Sequence, residues 1–225
     1  MGISHMSRSD ALIENLATGS APSLHGIGRR ERRAAETRLR LFRTALQLFA
    51  DRGFPNVKVE DITEAADVGK GTFFNYFESK DHILGVLAEV QIARIKKAVK
   101  SAESGRRSIY TTLHHLFLSL AEEPGRSPYL ARAVIASFLT SDVVRDLIER
   151  QMSEARTLIA ELMAQGQKRG EIDPRLKRNE AALQLQQAIL GTVLVWSLHG
   201  EPELAVWMEN SFRHFWRAIA VSGRE

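Results

Sequence analysis

Eight consecutive residues, Lys70-Gly71-Thr72-Phe73-Phe74-Asn75-Tyr76-Phe77, bring together a cation, a glycine, two hydroxyls, an amide and four aromatic rings. Read as a short helix, they put Phe73 and Phe77 four apart on one face, where they can anchor it to neighbouring helices. The N-terminal end is then free to enter a DNA major groove. There Lys70 can donate to guanine O6 and N7, and Gly71 lets the backbone come close to base edges. This chemistry suits the reading of a duplex.

The charge distribution points the same way. The net charge is +4, and residues 1–100 carry 16 Lys+Arg against 12 Asp+Glu while the remainder balances at 15 of each. The densest cluster, Arg29 to Arg43, holds seven arginines and two glutamates, which suits either a polyanion or a solvated helix face. There is no cysteine, which excludes disulfides, thiolate nucleophiles and cysteine-ligated metals and fits a reducing cytoplasm. The longest mostly apolar run, Ala188 to Leu198, is about half of the roughly 20 residues that cross a bilayer, so it reads as buried helix and no membrane partner is expected. Enzyme motifs are missing. No histidine follows a glutamate by three, Gly69-Lys70-Gly71-Thr72 lacks the glycine and hydroxyl positions of a phosphate loop, and neither His-Glu-x-x-His nor Gly-x-Ser-x-Gly occurs. No catalytic residue, metal or cofactor is expected.

The elements that must position the short helix are themselves helical. Residues 1–31 read as a flexible arm, with 1–5 as a cloning remnant and no secretory signal. From about Arg32, Leu39, Phe42, Leu46 and Phe49 recur at helical spacing and stop at Gly53, where a left-handed cap is expected. Helices over Val59 to Ala66 and Lys70 to Phe77 flank the turn Asp67-Val68-Gly69. Ser79 can cap a longer helix with the stripe Ile83, Leu84, Leu87, Val90 and Ile95. Five more follow, over Ile109 to Ala121, Tyr129 to Leu139, Asp142 to Arg169, Asn179 to Leu198 and Glu203 to Val221. The class is all-α. The division is a helix-turn-helix unit over 32–78 and a helical unit over 79–225. The last two helices hold all three tryptophans, and Leu190, Leu194, Leu198, Trp207, Phe212 and Phe215 are candidates for a self-association face.

Gly53-Phe54, Val59-Glu60-Asp61-Ile62, Gly71-Thr72-Phe73-Phe74-Asn75-Tyr76-Phe77 and Ser79-Lys80-Asp81 occur in this order. The stretch Arg38 to Leu84 resembles the helix-turn-helix signature of the tetracycline-repressor (TetR) family of bacterial transcription regulators. The resemblance implies base contacts from Lys70, Gly71 and Phe74, and phosphate contacts from Thr72, Asn75, Tyr76 and Lys80. Phe74 as core, Tyr76 as a structural hydrogen bond and Lys80 as a solvated cap residue are the alternatives. Three positions depart from the family pattern. Lys58 stands for a capping threonine and can reach a phosphate in its place. Asp67 stands for the turn glycine, tolerable because Asp enters left-handed conformations readily. Gly69 stands for a capping serine.

The resemblance further implies a homodimer on a palindromic double-stranded operator, in a bacterial cytoplasm, acting as a repressor switched by a small organic ligand. The candidates for its pocket are Tyr110, His114, Phe117, Phe138, Met152, Met163 and Trp196. Arg29, Arg30, Arg32 and Arg33 are candidates for a basic arm in the minor groove. The alternative is a helical protein that binds DNA without sequence preference or inducer.

Overall fold

The structure is a computed structural model that describes residues 29–221. The expected cloning remnant and residues 6–28 of the expected arm lie outside the described residues. Its last residues do not: Arg29, Arg30 and Glu31 begin a helix, and the four arginines expected in an arm, Arg29, Arg30, Arg32 and Arg33, are all part of that helix and exposed.

The described residues form nine α-helices and no strand. The front unit is α1 (Arg29–Arg52), α2 (Val59–Ala65) and α3 (Lys70–Phe74). Behind it come α4 (Lys80–Glu103), α5 (Ile109–Leu120), α6 (Pro128–Thr140), α7 (Asp142–Lys168), α8 (Arg178–His199) and α9 (Leu204–Ile219). An isolated antiparallel bridge, Ile172 with Ala220, ties the turn after α7 to the end of α9. Four successive helices begin on serines whose hydroxyls accept a first-turn N–H. Ser79 accepts from His82 at 3.2 Å, Ser108 from Thr111 at 3.0 Å, Ser127 from Tyr129 at 3.1 Å and Ser141 from Val144 at 3.3 Å. Each such cap stabilises its helix by about 1 kcal/mol.

Two hydrophobic clusters organise the molecule. The front one gathers Phe42, Phe49, Ile62, Phe73 and Phe77, all fully buried, and each large side chain there contributes about 1.5–3 kcal/mol. It does not stop at residue 78. Ile83, Leu84, Val86, Leu87 and Val90 of α4, Leu130 and Ala133 of α6 and Val144 of α7 belong to the same cluster. The rear cluster is built from α4 to α9, with α4 packed most extensively on α7 and α7 on α8.

Helix α8 is long and apolar enough to cross a membrane by length and composition. It packs against α6, α7 and α9, yet it is not the fully buried helix expected. Leu183, Leu190, Leu194, Val195 and Leu198 stand exposed along it, Leu198 at 66%. Phe212 and Phe215, expected on a self-association face, are instead buried in the rear cluster, where Phe212 meets Phe117 and the Tyr110–His114 pair. Trp207 is partly buried against the same cluster.

Candidate functional site

Gly53 does not close α1 as a left-handed helical cap. With φ 77° and ψ 144° it occupies a positive-φ extended region that only glycine enters freely, and this redirects the chain into the short 3-10 turn Phe54–Asn56. Phe54 is thereby swung under Phe49, with ring centroids 5.0 Å apart. The turn brings the chain to Lys58, the N-cap of α2, whose backbone N–H donates to Asp61 Oδ2 at 2.7 Å. Asp61 thus supplies half of a capping box, although Lys58 has no hydroxyl to complete it.

Between α2 and α3 the Asp67 backbone has φ 50°, as the sequence predicts. Asp67 N–H donates to Glu64 O at 3.1 Å and Val68 N–H to Thr63 O at 3.0 Å, the paired bonds of a Schellman turn. Helix α3 is shorter than expected and ends at Phe74. A closing turn follows, in which Tyr76 and Phe77 N–H both donate to Phe73 O at 2.9 Å. That turn keeps Phe77 in register with Phe73, and both rings are fully buried.

Their burial decides what faces outward. Gly71, Phe74 and Asn75 are exposed, Thr72 and Tyr76 are half-buried, and the Phe74 ring stands 49% exposed, edge-on to Phe73. Phe74 is therefore surface, not core. Neither Gly69 nor Gly71 has a heavy atom of the described residues within 4 Å of where a Cβ would stand, so nothing among them requires a glycine at either position.

The cations at this surface are arranged differently from the sequence reading. Lys70 Nζ pairs with Glu60 Oε1 of α2, and both side chains are well exposed. The hydrogen bond from Lys70, more than its charge, holds the Glu60 carboxyl below the usual carboxylate range. Lys80, expected on a phosphate, turns inward. Its ammonium donates to Phe54 O at 2.9 Å, Val57 O at 3.0 Å and Pro55 O at 3.4 Å, and lies 4.5 Å from the Phe54 ring centre. In this chain it fastens the start of α4 to the turn ahead of α2. Lys58 is exposed.

Behind the front unit, a cavity of about 200 Å³ opens between α4, α6, α7 and α8. It lies at the seam of the two clusters, with Leu84, Leu87, Val134 and Phe138 on the front side and Ile92, Ile135 and Ile159 on the rear. Of the residues expected at a ligand pocket, Phe138 and Met152 line it. Phe117, Met163 and Trp196 are instead buried in the rear cluster. Tyr110 and His114 stack on each other beside Phe212, and His114 Nε2 lies 2.6 Å from Glu209 Oε2. The sequence reading missed Gln91, Gln151 and Gln186, which line the cavity. Glutamine on a helix ordinarily reads as a solvated position, so only the packing of several helices could have found them.

Residues 41–87 match the family of bacterial regulatory proteins named tetR. The HTH-type transcriptional repressor DhaR of Mycobacterium sp. (strain GP1) is 28% identical over 137 residues, which cover 60% of this chain and 69% of DhaR. The regulator TcmR of Streptomyces glaucescens is 42% identical over 67 residues, 30% of this chain and only 29% of TcmR. Among solved structures, Thermus thermophilus FadR, a TetR family transcriptional repressor in complex with lauroyl-CoA, superposes with a TM-score of 0.57 at 27% identity. The alignment covers 84% of this chain and 96% of that one.

Proposed function

We propose that this chain, whose residues 41–87 match the tetR family of bacterial regulatory proteins, is a member of that family and a repressor that binds a palindromic operator as a homodimer and is switched by a small organic molecule. The observation that carries the reading is the outward face of α3. Gly71, Phe74 and Asn75 are exposed beside Lys70, while Phe73 and Phe77 are sunk in the front cluster. In this reading Lys70 leaves Glu60 for a guanine edge, Gly71 brings the backbone against the bases, and Phe74 meets a thymine methyl. Thr72, Asn75, Tyr76 and Lys58 contact phosphates and fix register without reading sequence. Lys80 acts one step back, by holding the turn ahead of α2.

The exposed apolar side chains Leu183, Leu190, Leu194, Val195 and Leu198 on α8 support pairing with a second copy, because apolar surface gathered on one helix is costly in water. Two reading heads on a twofold axis enter successive major grooves roughly 34 Å apart. The cavity supports the switch, since it borders α4 and α6, which both reach into the front cluster. A ligand works such a switch only by binding one head spacing better than the other.

Selection of bound sequences from a random duplex pool tests this directly. Two inverted half-sites recovered with two chains per duplex are expected. Preference for the selected duplex below about tenfold over random DNA would point instead to a non-specific DNA-binding helical protein, for which specificity ratios are low.

A further inference from the structure

A second concavity, of about 400 Å³, lies between α4, the loop 104–108 and α5, and shares no lining residue with the apolar cavity. The loop turns the chain back, so α4 and α5 run antiparallel, and Gln91 and Arg94 of α4 donate to Leu120 O and Ser119 O at the end of α5. Lys97 and Ser101, four apart on one face of α4, line this groove together with His115 of α5, and Arg107 lines it from the loop. At the other end the Arg94 guanidinium, 3% exposed, is committed to Ser119 O and to Glu122 at 2.7 Å, so those two charges cancel. Glu122 is the only carboxylate in the lining. Two cations remain. Among the described residues neither Lys97 nor Arg107 has an ion pair, and the Ser101 hydroxyl has no hydrogen-bond partner. The next lysine on α4 is not in this state, since Lys96 holds Glu154 at 2.7 Å. Lys97, Arg107 and His115 are all exposed, so a molecule in the groove can reach them. The Thr112 and Ser119 hydroxyls are already donated to Ser108 O and Leu116 O, which leaves Lys97, Ser101, Arg107 and His115 as the donors.

We infer that this groove is a binding site for a small organic phosphate, such as a nucleoside or sugar monophosphate, whose phosphate is held between Lys97 and Arg107 and whose organic part rests on Ala98, Leu116 and Leu118. The inference goes beyond the regulator reading and does not depend on it. Charge agrees: a phosphate monoester carries roughly −1.5 to −2 at neutral pH, which the two unpaired cations balance. Geometry agrees as well. A guanidinium offers a planar fork to two phosphate oxygens, an ammonium adds a compact point charge, and the Ser101 hydroxyl supplies a further donor. At about 400 Å³ the groove falls within the range of small-molecule sites. It is also set apart from the DNA-facing surface. Lys97 lies 17 residues along α4 from Lys80, or about 26 Å of helix.

Calorimetric titration of the full chain at physiological salt tests the inference with AMP and glucose 6-phosphate, their uncharged parents adenosine and glucose, and inorganic phosphate. At least one of the two organic phosphates is expected to bind about tenfold or more tightly than both its parent and inorganic phosphate. Lys97→Gln and Arg107→Gln, both at exposed side chains, are each expected to weaken that binding by about fivefold or more with thermal unfolding unchanged. Arg106→Gln removes the same charge one residue outside the groove and is expected to change it less than about twofold. Inorganic phosphate binding as well as the organic phosphates, an equal loss in Arg106→Gln, or wild-type binding in both groove variants would reduce the site to a solvated basic face and overturn the inference. No binding of any probe does the same. So does a loss of affinity for random duplex in Lys97→Gln as large as its loss for the organic phosphate, which would assign these cations to DNA. DNA selection is read separately. A chain that finds a palindrome but binds no organic phosphate loses this inference and keeps the regulator reading, and a chain that binds one but selects no duplex does the reverse.

Discussion

Replacing Gly71 with alanine separates what the fold needs from what a duplex needs. The residue lies within α3, is exposed, and a Cβ there would meet no heavy atom of the described residues within 4 Å. Its backbone is not among the positive-φ glycines of the described residues, so alanine enters without strain. Inside the chain the change therefore only removes the entropy penalty of a helical glycine, and the fold should gain about 0.5–1 kcal/mol. On the operator the added methyl stands where the backbone must approach base edges. Losing one such contact costs about 1–3 kcal/mol, or roughly 5- to 150-fold in Kd. Urea unfolding followed by circular dichroism measures the first effect, and fluorescence anisotropy on the selected duplex at fixed salt measures the second. Gly69→Ser is the control. It also has open space around its Cβ, restores a capping hydroxyl, and should stabilise the helix by a few tenths of a kcal/mol without loss of affinity. Stabilisation of Gly71→Ala with unchanged operator affinity would refute the close-approach reasoning, and destabilisation would refute the claim that the fold does not need a glycine there.

The other predictions concern charges and the α8 face. Glu60→Gln releases Lys70 from its pair and should tighten binding to random duplex, steepening the salt dependence by about one unit in log–log slope. Lys80→Met removes the ammonium donor from the Val57 carbonyl and leaves Phe54 O with only the long bond from Val57 N–H, and should destabilise the chain by about 1–3 kcal/mol in urea. A phosphate-only role would instead leave stability intact and flatten the salt slope. Asp173 is held down to about 2 by side-chain and backbone hydrogen bonds from Arg175. Because its folded value lies below its ordinary one, the stability it contributes is complete above the ordinary carboxylate range and disappears as pH falls toward 2. Arg175→Gln should therefore shift the acid unfolding midpoint upward, and identical acid titrations would contradict this. Leu194→Glu, on the exposed row of α8, should give a monomer in sedimentation velocity with weakened operator binding.

Much of the front unit is legible from one sequence because its determinants are local. Phe73 and Phe77 are spaced to share a face, Asp67 is a residue that tolerates positive φ, and Ser79 is an N-cap, each of which the structure reproduces. The partner of a charged side chain is not local. Lys70 and Glu60 are ten residues apart and Lys80 lies more than twenty from the carbonyls it binds, so no spacing rule reveals either contact. Periodicity also marks an apolar face without saying what covers it. Phe212 and Leu194 look alike as positions in apolar helices, yet one is fully buried against α5 and the other stands free. The same limit explains why aromatic and methionine residues were expected at the cavity. Phe117, Met163 and Trp196 fill space in the rear cluster, whereas the cavity is bounded largely by aliphatic residues whose types carry no signal.

The bonds from Lys80 have a mechanical consequence. Helix α4 has 24 residues, so at 1.5 Å per residue it is a rod of about 36 Å. Pivoting it by roughly 5° about its far end displaces its tip by about 3 Å, close to the 3.4 Å rise between stacked base pairs. With the ammonium at that tip hitched to the Phe54–Val57 bend, the bend cannot lag behind the rod, and α2 and α3 travel with it as one body. A few degrees of tilt in α4 would thus carry the outward face of α3 by about the spacing of one base-pair step.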